Sequence, residues 1–471
     1  MTESYDVAII GAGTAGLSAL REVRKKTESF VVINDGPYGT TCARVGCMPS
    51  KVLIEAANAF HRRKGFPDFG IRGGEQLRVD IPSVLRRVRQ LRDQFVAGAT
   101  RLTDTLGERN IAARARFTSP NTLQVDGREL RAKSIVVATG SSPFVPQDWP
   151  DLGAHLITTD SLFELQDLPA SIAVIGVGPL GAELSQALAR LGINVTAFND
   201  LPQIGGLTDP VVNQRALAAL SEDVKIHIGP RVTLQKETNG VRVTSGEHSV
   251  VVDAVFAAMG RRPNIAGLGL EQLGVPLNER GLPQSDAHSM QIGKLPVYIA
   301  GDVDANLPLQ HEANDEGHIA GFNAVRSTAA SFRRRVRLGI VFSDPQLATV
   351  GKPFRELDDT ATVIGAADFS RQGRATIAAS NRGLMRVYVD RKSGRLLGAE
   401  LCVAHAEHLA HLLALAIERN STIAELLRMP FYHPTLEEGL RTALRDAAAQ
   451  LGDRADSDLS SCSPLGADAL D

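Results

Sequence analysis

Four cysteines in 471 residues are too few to staple a secreted fold of this size. The formal net charge is only −2, and no domain-sized stretch has a basic excess, which excludes nucleic acid as the main partner. The local basic runs have plainer readings. Arg86, Arg87, Arg89 and Arg92 recur at helical spacing, as on a solvated helix face, and Arg333-Arg334-Arg335 reads as an exposed linker. No run of 18 apolar residues exists, so no membrane-spanning helix is expected. A strand starts by Tyr5, which leaves no room ahead of it for a signal or transit peptide, and a cytoplasmic protein is expected. Apolar residues, at 43 %, are plentiful enough for about three domains with sizeable cores.

Two of the four cysteines lie five apart, in Thr41-Cys42-Ala43-Arg44-Val45-Gly46-Cys47-Met48-Pro49-Ser50-Lys51. Positions five apart on a regular helix point about 140° away from each other. Pairing them therefore requires a locally unwound helix, which Gly46 tolerates. So short a loop restrains little chain entropy and makes a poor staple. A dithiol that opens and closes in use is the better reading, although a bare cysteine pair is more often inert. Cys402 falls in an apolar, strand-like run and reads as core, and Cys462 lies alone in an Asp-, Ser- and Ala-rich tail.

One pattern occurs twice, 165 residues apart. Tyr5 to Ile10 reads as a buried strand running into Gly11-Ala12-Gly13-Thr14-Ala15-Gly16. Ile172 to Ile175 runs likewise into Gly176-Val177-Gly178-Pro179-Leu180-Gly181. A helical segment and a second apolar strand follow each. In such a unit the first glycine makes the turn, the second lets a diphosphate approach, and the third packs helix against strand. Two copies imply two dinucleotides. An acidic residue usually ends the second strand and binds ribose. Here that position is Asn34 in one copy and Asn199 in the other, with Asp35 and Asp200 next. Either the amide or the following carboxylate serves the ribose. No Lys or Arg lies between Ala197 and Asp209 to meet a 2′-phosphate, so NAD is expected over NADP.

Further motifs complete the set: Ala138-Thr139-Gly140, Glu183 in the second fingerprint, Ala258-Met259-Gly260-Arg261-Arg262-Pro263-Asn264, Ala300-Gly301-Asp302, and Tyr432-His433-Pro434-Thr435-Leu436-Glu437-Glu438. From Tyr5 to about Leu451 the chain resembles the FAD-dependent pyridine nucleotide–disulfide oxidoreductases, most of all their dihydrolipoamide dehydrogenase branch. The resemblance implies an α/β fold of two Rossmann-like dinucleotide-binding domains plus a C-terminal α+β dimerisation domain. The expected divisions are 1–149 (FAD and the redox pair), 150–264 (NAD), 265–335 (continuation of the FAD domain), 336–452 (dimerisation) and 453–471 (a flexible tail).

The resemblance also implies roles. FAD would lie on Gly11, Gly13, Gly16, Thr139 and Gly140, with Asp302 on its ribityl chain and Asn34 or Asp35 at its ribose. NAD would lie on Gly176, Gly178, Gly181, Asn199 and Gly260. Cys47 would face the flavin and Cys42 would exchange with substrate. Lys51 and Glu183 would pair beside the flavin. His433, oriented by Glu438, would be the acid–base partner, supplied to the other subunit's site in a two-fold homodimer with shared sites. Elementary chemistry agrees, because exchange needs a thiolate attacker and a protonated leaving thiol, and one imidazole serves both. No metal is implied.

The chain departs from the family pattern in two places. The usual Gly-Gly-Thr-Cys is Gly39-Thr40-Thr41-Cys42, and Arg44 stands where Asn is usual. Arg44 either lowers a thiol pKa or draws in an anionic substrate, or it points to solvent or the FAD phosphates. His311 matches a histidine frequent in the lipoamide branch, and a structural helix-cap role accounts for it equally well. The expected activity is NAD-linked oxidation of dihydrolipoyl groups, with the lipoylated acyltransferase core of a 2-oxo acid dehydrogenase complex as partner. The alternatives are NAD(P)H-dependent reduction of another disulfide, as in glutathione reductase, and a transhydrogenase-like flavoprotein. Mercuric reductase is disfavoured, since paired C-terminal cysteines are absent.

Overall fold

The strand Glu3–Ile10 carries Val7, Ala8, Ile9 and Ile10 at 5 % exposure or less, because both faces of its sheet are covered. In this computed structural model, which describes residues 3–452, it sits inside a seven-stranded sheet. Phe30–Ile33 and Arg128–Val137 flank it in parallel, and Val297–Ile299 returns to pair with Arg128–Val137. The tail 453–471 and Cys462 lie outside the described residues. The second glycine repeat opens a five-stranded parallel sheet, ordered Lys225–Ile228, Asn194–Asn199, Ser171–Ile175, Ala254–Ala257, Leu156–Ile157. The last unit is a five-stranded antiparallel sheet from Leu338–Val341 to Leu396–Val403, covered by the helices Ala406–Glu418 and Glu437–Gln450. Cys402 is fully buried there, and burial pushes its thiol up to about 12. No helix among the described residues is long and apolar enough to cross a membrane.

The third glycine of each repeat is fixed by close approach. A Cβ on Gly16 would stand 1.9 Å from the Gly11 carbonyl oxygen, and one on Gly181 would stand 1.9 Å from that of Gly176. Only hydrogen fits where helix meets turn.

Two polar clusters hold the last unit against the nucleotide units. Arg190, 1 % exposed along its side chain, reaches Asp223, Asn58 and Asp344. Asp209 is fully buried, accepts from Arg386 at 2.6 and 2.7 Å and from the Tyr388 hydroxyl at 3.0 Å, and caps the helix Pro210–Leu220. Arg386→Ala would strand that carboxylate in the interior. The expected cost is about 3–5 kcal/mol, read as a lower urea midpoint.

Candidate active site

Each glycine turn opens a cavity. A Cβ on Gly13 or Gly178 would meet no atom within 4 Å, so both positions face open space at a helix start. The first cavity is lined by Gly11, Gly13, Asn34, Asp35, Arg44, Thr139, Gly140 and Arg261 among others. The second, of about 860 Å³, is lined by Gly176, Gly178, Asn199, Asp200, Gly260 and Arg231.

The two asparagines do the same local work. Asn34 accepts the Ala12 N–H through Oδ1 (3.1 Å) and donates to the Gly36 carbonyl (2.7 Å). Asn199 accepts the Val177 N–H (2.8 Å) and donates to the carbonyls of Leu201 and Gln203. Both amides latch the end of the second strand to the glycine turn, and Asn34 keeps one N–H beyond these bonds. The exposed carboxylates Asp35 and Asp200 line the same two cavities next to them.

The dithiol helix is broken as its spacing requires. Helix Thr41–Val45 stops at Gly46 (φ −121°, ψ −120°), and helix Cys47–His61 starts beyond it. Thr40, in the place the family gives to glycine, sits at φ +58° and accepts the Ala43 N–H on its hydroxyl. A capping bond there offsets part of a backbone strain of about 1–3 kcal/mol.

Both thiols are free. Cys47 is brought down to about 7, first by a hydrogen bond from Cys42 and then by the Lys51 charge, against the opposing effect of burial. Cys42 is driven far above the ordinary thiol range, chiefly by donating that hydrogen bond and by burial. The pair is therefore polarised, with a proton on Cys42 and the negative charge on Cys47.

A third cavity, of about 450 Å³, joins Cys42, Cys47, Lys51, Glu183, Gly13, Gly140, Gly301, Asp302 and His311. Lys51 Nζ lies 2.8 and 3.0 Å from the Glu183 carboxylate oxygens, and Asp302 accepts from Ser141 at 2.7 Å. Glu183 also accepts the Phe342 N–H at 2.8 Å, while the Phe342 ring stands under the Lys51 ammonium, 4.6 Å from its centroid. Phe342 and His411 arrive in this cavity from the last unit. No sequence motif announces either, because only the packing of that unit delivers them. Arg231 enters the second cavity from beyond the strand Lys225–Ile228, outside the stretch from Ala197 to Asp209 that holds no Lys or Arg.

His433 is not gathered with the cysteines. Its ring is 79 % exposed, and its Nδ1 stands 3.1 Å from both Glu438 oxygens. That contact holds Glu438 below its ordinary carboxylate value. An oriented imidazole with its other nitrogen in solvent is a proton carrier with no partner in its own chain's dithiol cavity.

A chain with two dinucleotide cradles, a polarised dithiol between them and an antiparallel last unit defines a flavin- and pyridine-nucleotide-dependent thiol oxidoreductase. The chain belongs to the pyridine nucleotide-disulphide oxidoreductase family: residues 5–317 match that family's model and residues 338–444 match its dimerisation domain. It is 31 % identical to a dihydrolipoyl dehydrogenase of Thermus scotoductus, with 94 % of this chain and 97 % of the relative covered. It is 30 % identical to the Trypanosoma brucei brucei dihydrolipoyl dehydrogenase (93 % and 95 % covered), and 28 % identical to a Staphylococcus aureus mercuric reductase (93 % and 82 %). Among solved structures it is similar to LpdA from Mycobacterium tuberculosis, with a TM-score of 0.81 and 25 % identity over 94 % of this chain and 99 % of that one. The Escherichia coli flavoprotein disulfide reductase RclA shares the fold, with a TM-score of 0.82 and 22 % identity over 94 % and 99 %.

Proposed function

We propose that the protein oxidises dihydrolipoyl groups with NAD⁺, through Cys42 and Cys47, as a homodimer whose two sites each draw His433 and Glu438 from the opposite subunit. The observation that carries this reading is the polarised thiol pair beside the Lys51–Glu183 ion pair. The residues fit a bound FAD: Gly13 leaves room for a diphosphate, and Thr139 Oγ1 and Arg44 Nε are buried without partners beside that cradle. FAD supplies a two-electron relay between sulfur and nicotinamide.

The chain's own residues do the rest. Cys42 keeps its proton at neutral pH, so it needs a base before it attacks a disulfide or forms one. His433 fits that task, with Glu438 fixing its tautomer and supporting the imidazolium. Lys51 holds positive charge beside Cys47 and is itself held by Glu183. Tyr432 (81 % exposed), Leu415 and Ile377 leave apolar surface on the last unit for a second subunit to cover. The substrate reading follows the dihydrolipoyl dehydrogenase relatives, and with it the lipoylated acyltransferase core as partner.

The preference for NAD rests on Asp200, a carboxylate facing the second cavity beside Leu201, which disfavours a 2′-phosphate. Of the two guanidiniums lining that cavity, Arg231 is 3.1 Å from Asp148 and Arg261 is bonded to Ser141. The test is steady-state turnover of dihydrolipoamide with NAD⁺ and NADP⁺ beside reduction of glutathione disulfide with NADH and NADPH. NAD⁺-dependent oxidation of dihydrolipoamide should dominate. NADPH-dependent disulfide reduction without it would reject the reading.

A further inference from the structure

Arg44 shares the five-residue helix Thr41–Val45 with Cys42, yet the two residues face different cavities. They are two positions apart, about 200° around a helix. Cys42 lines the cavity with Lys51 and Glu183, whereas Arg44 lines the first cavity with Gly11, Asn34 and Thr139, and Gly13 and Arg261 border both. Lys51 acts on both sulfurs and Glu183 on Cys47, Arg261 and Cys47 act on each other, and Arg44 is not among the leading influences on either thiol. Arg44 acts on Arg261: burial pushes that guanidinium below its ordinary value, Asp302 at 3.9 Å and Asp160 work against the shift, and the nearby charge of Arg44 adds to it.

Two guanidiniums thus crowd one cavity. Arg261 is anchored, donating to the Ser141 hydroxyl at 2.7 Å and the Ser141 carbonyl at 2.6 Å. Arg44 has no ion pair or side-chain hydrogen bond among the described residues, and its Nε is shut off from solvent with no partner. Among the described residues no carboxylate pairs with Arg44: Asp35 lies 3.7 Å from Arg114, and Asp302 lies 3.9 Å from Arg261. A half-buried guanidinium set against a second one costs free energy unless an anion sits between them. The glycine turn beside them offers the opening where a dinucleotide's diphosphate approaches.

We propose that Arg44 is a diphosphate-binding residue for FAD that also positions Cys42, its guanidinium pairing with the cofactor's diphosphate from the opposite side of the helix that carries the thiol. The proposal rests on the flavin reading above and assigns within it a residue where the family usually has an amide. A guanidinium suits the task because it meets phosphate oxygens with paired donors. Filling the cradle neutralises Arg44 and pins the short helix on the face opposite Cys42, so cofactor occupancy and thiol position become linked.

The test is FAD dissociation from the purified full-length holoenzyme, followed by the rise in free-flavin fluorescence on dilution at low and raised salt. Arg44→Asn should raise the FAD dissociation constant about 10- to 100-fold and flatten its salt dependence, and Arg44→Lys should recover part of both. The salt dependence separates a charge contact from loss of packing. Unchanged FAD affinity in Arg44→Asn would overturn the proposal while leaving the flavin reading intact. A wild-type protein that neither carries nor takes up flavin would overturn both. If Arg44→Asn fails to fold, Arg44→Met and Arg44→Lys carry the comparison, and equal FAD affinity and salt dependence in those two would reject the charge contact.

Discussion

Cys42→Ala is expected to raise the Cys47 titration midpoint from about 7 toward the ordinary thiol value of about 8.5, and to reduce dithiol–disulfide turnover by about 10⁴-fold or more. The first effect follows from the largest influence on Cys47, the hydrogen bond it accepts from Cys42. A bond to the charged form favours that form, so removing the donor disfavours the thiolate. The sign is definite. Wild-type Cys47 holds its negative charge above about pH 7 and loses it as pH falls through that value. The variant stays protonated at neutral pH and ionises only in more alkaline solution. Ultraviolet thiolate absorbance of the reduced protein, or the long-wavelength thiolate–flavin band of the holoenzyme, measures the midpoint directly. Lys51→Met should move it in the same direction by less, since the ammonium is the smaller favourable influence. The second effect follows because one sulfur cannot close a disulfide, whereas reduction of bound flavin by NADH needs neither thiol and should survive. A midpoint that stays near 7 in Cys42→Ala would show that the two sulfurs are not coupled.

Short-range features of this site are legible in the sequence, and long-range ones are not. The glycine turns are readable because Gly16 and Gly181 answer a contact five residues back, well inside one motif. The break at Gly46 is readable because two cysteines five apart demand it. The asparagine latches are half readable. The pattern marks Asn34 and Asn199 as departures, but only the folded turn shows that their amide oxygens accept from Ala12 and Val177. The direction in which Arg44 faces depends on how its short helix lies between two cavities, which no period encodes. Phe342 reaches Glu183 across 159 positions of chain, and His411 comes from a helix whose polar face reads as ordinary surface. The side of the site that electrons and protons cross is thus written locally, and the walls that enclose it are set by domain packing.

Mixing Cys42→Ser and His433→Ala dimers, each inactive by itself, is expected to restore about a quarter of wild-type disulfide turnover once subunits exchange. His433 stands in solvent with Glu438 and outside its own chain's dithiol cavity, so a productive site needs Cys42 from one subunit and His433 from the other. In a mixed dimer one site combines both defects and is dead. The other joins the intact Cys42 of the His433→Ala chain to the intact His433 of the Cys42→Ser chain. Random reassortment makes half of all dimers mixed, and each carries one working site of two. Sites confined to single chains would give no recovery at any mixing ratio, because every chain in the mixture lacks one of the two groups. Glu438→Gln adds a graded control. It keeps the ring near its place but removes the carboxylate charge, so it should slow exchange by about 10²-fold or more, less than His433→Ala does, and should also be rescued by Cys42→Ser subunits. Rescue of both variants by the same partner would locate the imidazole and its orienting carboxylate on one subunit and the thiol they serve on the other.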